Sequence, residues 1–180
     1  MTLVSPPDHG TLSEGARRIL AMAPQDIARM LAGSGPPFEP LMGLATAMFS
    51  RGNLSASLRE AVTCRIGYRY DAGYMIDQHE VMARAAGLTE PQMEALRGPL
   101  PSPAFDDHDN AALLLVDAQI ETILPPDEVV LRAYQRLGET AFHELLLVAS
   151  FYHLTARYTD TAGGTRRPRS RKRSRLHGPA

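Results

Sequence analysis

The sequence predicts an all-α protein of about eight helices. Three observations carry this prediction. Apolar residues recur at spacings of three and four along most of the chain, as a single buried helix face requires. Glycine and proline clusters interrupt that pattern at helix-length intervals. No run alternates apolar and polar residues at period two, so no sheet is expected. The 180 residues suit one domain with a real core and are few for separate cofactor and substrate domains.

Residues 1–10 contain two prolines and a glycine without periodicity and read as a flexible N-terminal arm. The helical domain is expected over 11–160. Short helices are predicted near 12–22 and 25–32, ended by the GSGPP run at 33–37. A helix over about 39–50 follows, with Leu41, Leu44, Ala45 and Met48 on one buried face. Gly52 and Asn53 stop it, and Ser55 and Ser57 offer caps for a helix over 55–71. Gly73 breaks the chain before a helix over 74–86, for which Gly87 is the stop. Thr89, Pro91 and Gln92 form a capping-box start for a short helix to Leu96. After a Pro-rich loop at 98–107, helices are expected at 108–123, 126–137 and 139–160, separated by Pro125-Pro126 and Gly138.

The net charge of −1 hides an asymmetry. Residues 161–180 carry seven of the 19 basic groups and none of the 20 acids, leaving 12 basic and 20 acidic groups, a net of −8, in residues 1–160. Such a body repels nucleic acid and anionic membranes at long range, so nucleic acid is an expected partner only through the Arg-rich tail, which reads as disordered. An atypical terminus is the other reading of that abrupt change in composition. A single cysteine, Cys64, excludes an internal disulfide and a cysteine-based zinc site. No apolar run reaches the roughly 18–20 residues of a membrane span, and the N-terminus lacks a signal pattern, so a cytoplasmic, soluble protein is expected.

The chemistry concentrates in two neighbouring helices. On the first, Glu60, Cys64, Gly67 or Tyr68, and Asp71 share a stripe. On the second, Met75, His79, Met82 and Ala86 do, and the apolar company of His79 turns it inwards. A buried imidazole needs a partner, and Glu60 is the nearest carboxylate in sequence on the neighbouring helix. A plainer reading makes Ser57 and Glu60 a capping box. Cys64 reads as a small core residue. His108 with Asp106, Asp107 and Asp109 suggests a metal site, but consecutive residues should point apart, and acids favoured at a helix N-terminus explain the group better, so no metal is expected. Of His143 and His153 on the last helix, one is expected to line the same pocket.

The runs Leu58-Arg59-Glu60-Ala61-Val62-Thr63-Cys64-Arg65-Ile66-Gly67-Tyr68, Gly73-Tyr74-Met75-Ile76-Asp77-Gln78-His79 and Ala83-Arg84-Ala85-Ala86-Gly87-Leu88-Thr89 resemble the carboxymuconolactone decarboxylase / alkylhydroperoxidase D family. That resemblance implies a compact multi-helix domain of the alkylhydroperoxidase D-like type. Glu60 and His79 match the family's glutamate and histidine, whereas its two cysteines fall on Ala72 and Met75, so the chain is similar to the branch lacking the CxxC pair. Peroxide reduction by a cysteine pair needs one thiolate to attack and a second thiol to resolve, and neither alanine nor methionine can do this.

What the resemblance then implies is a cofactor-free acid–base enzyme, a decarboxylase- or isomerase-type lyase, acting on a small carboxylated or carbonyl substrate. His79 would be the acid/base, Glu60 would orient it, and Tyr74 would donate to a developing oxyanion. Tyr68, Arg65 and His153 are candidate substrate contacts, Arg65 for a carboxylate if it faces the pocket, although helical phase puts it off the Glu60 stripe. Two alternatives stand beside it. One is an alkylhydroperoxidase- or peroxiredoxin-type antioxidant protein, using Cys64 as a lone peroxidatic thiol. The other is a non-catalytic oligomeric ligand-binding or scaffold protein. A homo-oligomer, dimer or trimer, is expected from the resemblance and from Leu145, Leu146, Leu147, Val148 and Phe151, which no single helix face can bury.

Overall fold

The computed structural model describes residues 4–22 and 26–162. These form nine α-helices: α1 (Glu14–Met22), α2 (Asp26–Leu31), α3 (Phe38–Arg51), α4 (Ala56–Tyr70), α5 (Gly73–Ala85), α6 (Glu90–Ala95), α7 (Asp107–Glu121), α8 (Asp127–Leu137) and α9 (Glu139–Ala162). Every described helix starts and stops within two residues of the sequence expectation, and there is no strand among the described residues. The expected arm contains a short 3-10 turn, His9–Thr11, capped by the Asp8 carboxylate. Residues 1–3 and 163–180, which include all seven basic groups of the tail, lie outside the described residues.

The signals that end the helices act locally. Ser55 is the N-cap of α4, its hydroxyl accepting from the Leu58 N–H at 3.1 Å. Asp71 closes α4 in the left-handed region at φ 54°, where an aspartate is among the more tolerant non-glycine residues. Thr89 and Gln92 make the full reciprocal capping box at α6. Asp106 caps α7 by accepting from the Asp109 N–H at 2.8 Å. Gly138, at φ 77°, supplies the positive backbone angle that separates α8 from α9.

Two apolar clusters result. The larger is centred on α4, whose Leu58, Val62 and Ile66 pack with Leu113 and Val116 of α7 and with Leu145 and Val148 of α9. The smaller joins Ala16 and Leu20 of α1, Ala28 and Leu31 of α2 and Phe38 of α3. On α4, ten consecutive residues from Leu58 to Gly67 are buried. A helix covered all round in this way is the central element, and its polar residues must find partners inside the protein. No described helix is long and apolar enough to cross a membrane.

Candidate functional site

Helix α4 enters the core with Glu60 on its second turn, only 2% exposed. Helix α5 runs back across it, and Gly67 allows the close approach: a Cβ there would lie 3.2 Å from Ile76 Cγ1 and 3.5 Å from Met75 Cγ. That contact sets His79, one turn after Met75, beside Glu60. His79 Nδ1 lies 2.8 Å from Glu60 Oε2. With Glu60 as a carboxylate, which can only accept, Nδ1–H is the donor, and in a neutral imidazole the lone pair then falls on Nε2. The expected inward stripe of α5 is therefore realised. The capping-box reading of Ser57 and Glu60 is not: Ser55 is the cap, and the Glu60 carboxylate is turned away from the helix start to the imidazole.

His79 opens on a cavity of about 450 Å³ between the two clusters. Its walls are largely aliphatic and aromatic: Ile27 and Leu31 of α2, Met42 and Phe49 of α3, Met75 and Met82 of α5, and Phe151 of α9. The polar groups on it are neutral or histidine: Thr46, Ser50, Tyr74, Gln78, His79, Tyr152, Thr155 and Thr159. No lysine or arginine lines it among the described residues. Tyr74 accepts from the Ile27 N–H at 3.4 Å, which leaves its own O–H free to donate. Burial raises its pKa, so the phenol keeps its proton.

Tyr152 is the residue that sequence reasoning missed. It is buried, its ring meets His79 edge-on at 5.0 Å and 86°, and burial, with the Glu60 charge, pushes its pKa up. The signal was present: Leu145, Val148, Ala149, Tyr152, Thr155, Ala156 and Thr159 follow the three–four spacing of one buried face.

His153, one position on, is turned out of that face. Its Nδ1 lies 2.8 Å from the Tyr70 hydroxyl, away from the cavity, and His143 is exposed. Neither histidine lines the pocket. Arg65 also lies elsewhere. It is held by Asp117, with Nε 2.7 Å from Oδ1, and by the Leu96 and Gly98 carbonyls, each at 2.7 Å. Tyr68 donates to Glu80 at 2.9 Å beneath the Arg97 guanidinium. Of the six candidates, the structure brings together Glu60, His79 and Tyr74 and places Tyr68, Arg65 and His153 outside the cavity wall.

Cys64 is fully buried, and desolvation, with a smaller contribution from Glu60, pushes its thiol up to about 12. Ala72 and Met75, where the cysteine pair would stand, are both buried. Met75 brings a thioether to the cavity wall. The Asp106, His108 and Asp109 ligand atoms, expected to point apart, lie within 4.8 Å of one another. The reason is capping: Asp106 bends back to the Asp109 N–H, and His108 Nδ1 meets Asp109 Oδ1 at 2.9 Å. Asp107 is turned to Arg132 and Arg136.

Comparison with known proteins bears on the fold and on the family likeness. No curated protein sequence matches the chain. Among solved structures, a crystal structure of a protein of unknown function from Agrobacterium tumefaciens, suggested to be the antioxidant defence protein AhpD, superposes with a TM-score of 0.65. The identity is 18%, over 75% of this chain and 92% of that one, so the likeness establishes a shared all-α fold. The model of the carboxymuconolactone decarboxylase family matches residues 37–118, a span that holds both Glu60 and His79. Over those residues the chain is similar to the carboxymuconolactone decarboxylase family.

Proposed function

We propose that the protein is a cofactor-free acid–base enzyme of the decarboxylase or isomerase type, acting on a small, largely apolar carbonyl compound. The observation that carries this reading is the Glu60–His79 pair, with one imidazole nitrogen bound to a buried carboxylate and the ring on a mostly apolar cavity. Glu60 fixes the tautomer and steadies the imidazolium that forms when Nε2 takes a proton. Tyr74 and Tyr152, both held protonated by burial, are the donors for a developing enolate oxygen. Of the two expected substrate types the carbonyl one is favoured, because the described wall offers a carboxylate no arginine or lysine.

The antioxidant role suggested for the Agrobacterium protein is the weaker reading for this chain. Thiol chemistry needs an accessible thiolate, and Cys64 is buried with its pKa raised.

The test is a screen of lactones, β-keto acids and simple ketones, followed as product formation and as α-proton exchange in deuterated water. Hydroperoxides serve as the contrasting class. His79→Ala is expected to lower any lyase or exchange activity by about a hundredfold or more. Full activity in that variant would remove His79 as the base, and turnover of hydroperoxides alone would replace this reading with the antioxidant one.

A further inference from the structure

Arg59 immediately precedes Glu60 on α4 and is 9% exposed. Its guanidinium carbon sits 4.7 Å over the ring of Phe49, a cavity wall. Its Nε lies 3.7 Å from Glu60 Oε1, within ion-pair range but too far for a hydrogen bond. Both atoms are buried, and neither has a hydrogen-bond partner. Glu60 thus spends one oxygen on His79 and leaves the other facing a cation. A carboxylate in such surroundings stays charged only if positive charge compensates its lost hydration.

Ionisable groups approach the dyad from several helices. Helix α4 supplies Arg59, Glu60 and Cys64. Helix α5 supplies Tyr74 and His79 itself, while its Glu80 is turned to Tyr68, Arg84 and Arg97. Helix α9 supplies Tyr152. Asp26 of α2 acts on Tyr74. The α3 wall contributes Thr46, Phe49 and Ser50, which carry no charge. Among these described groups, Arg59 is the fixed positive charge.

We infer that Arg59 is a positioning residue: its buried guanidinium is the counter-charge that keeps Glu60 ionised, so that Nδ1 of His79 carries the proton and Nε2 stays free to act. The use of this arrangement rests on the acid–base reading above, but its test needs no substrate. Without the cation, a proton on the dyad is favoured on either partner, since both the imidazolium and the neutral carboxyl gain when a neighbouring positive charge is removed.

The experiment is an NMR titration of the full chain labelled at histidine, with the His79 signals assigned by comparison with His79→Gln. Arg59→Met keeps the stem over Phe49 and deletes the charge, whereas Arg59→Lys keeps the charge. The Met variant is expected to raise the apparent midpoint of the dyad by on the order of one pH unit. The Lys variant is expected to stay within a few tenths of wild type. Arg59→Gln is read in the same way and decides the matter should the Met variant not fold. An unchanged midpoint in a folded variant lacking the charge overturns the inference and leaves Arg59 as packing alone. A shifted midpoint in a protein with no detectable lyase or exchange activity would instead sustain the inference and remove the proposed function.

Discussion

At the scale of single residues, burial decides which groups can react. Cys64 was legible from sequence as a core residue, because a lone cysteine on an inward stripe packs as a small hydrophobe. Its thiol, pushed up to about 12, is protonated at neutral pH. We predict no reaction of the native protein with a disulfide reagent over an hour and one full equivalent on denaturation; rapid native labelling would contradict the burial described. His153 makes the opposite point. It was expected in the pocket, yet it sits against Tyr70, with burial and then Arg157 lowering its pKa. A histidine depressed in the folded state contributes stability that is present above its unfolded value near 6.5 and lost as pH falls towards the folded one. Chemical unfolding should therefore show stability declining from pH 7.5 to 5.5, and His153→Gln should flatten that decline. An equal slope in both proteins would free His153 of this role. Sequence could not separate Tyr152 from His153 by residue chemistry; the helical phase of α9 separates them, because one sits on the buried stripe and the other beside it.

At the scale of helices, boundaries were readable because caps are local events. Ser55, the Thr89–Gln92 pair, Asp106 and Gly138 each act over three or four residues. Helical phase also put Arg65 off the Glu60 stripe; what sequence could not supply was the partners it meets where a helix is buried all round. The Arg65 side chain ties α4 to Asp117 of α7 and to the two carbonyls that follow α6. Its role is thus to join three helices, and the substrate role expected for it has no support in its placement. Arg65→Met would leave the largely buried Asp117 carboxylate to Arg69 alone and take the donor from two carbonyls, a loss of about 2–3 kcal/mol, below the upper range for breaking a buried pair. Equilibrium denaturation measures this directly. A stable variant with impaired ligand binding would reverse the assignment.

For the molecule as a whole, the all-α class followed from periodicity, while the meeting of Glu60 and His79 was anticipated from inward-facing stripes and from resemblance. The cavity walls were less legible, since α2, α3 and α9 contribute to them from distant parts of the chain and apolar residues look alike whether they fill a core or border a hollow. Helix α9 buries Leu145 and Val148 yet leaves Leu147 and Leu154 45% and 46% exposed, and Val81 and Met82 of α5 are exposed as well. We propose that a second copy covers part of this surface. Light scattering at micromolar concentration should then give at least twice the 19.7 kDa chain mass, and a soluble species of single-chain mass would exclude it. The division of the apolar interior into two clusters bears on how a ligand would be noticed. The hollow lies on the seam between them, so an apolar occupant would act as mortar, adding contacts to the smaller cluster that it lacks when the seam is empty. Slowed amide hydrogen exchange in residues 26–31, with little change in the already shielded α4, would announce such an occupant before any turnover had been seen.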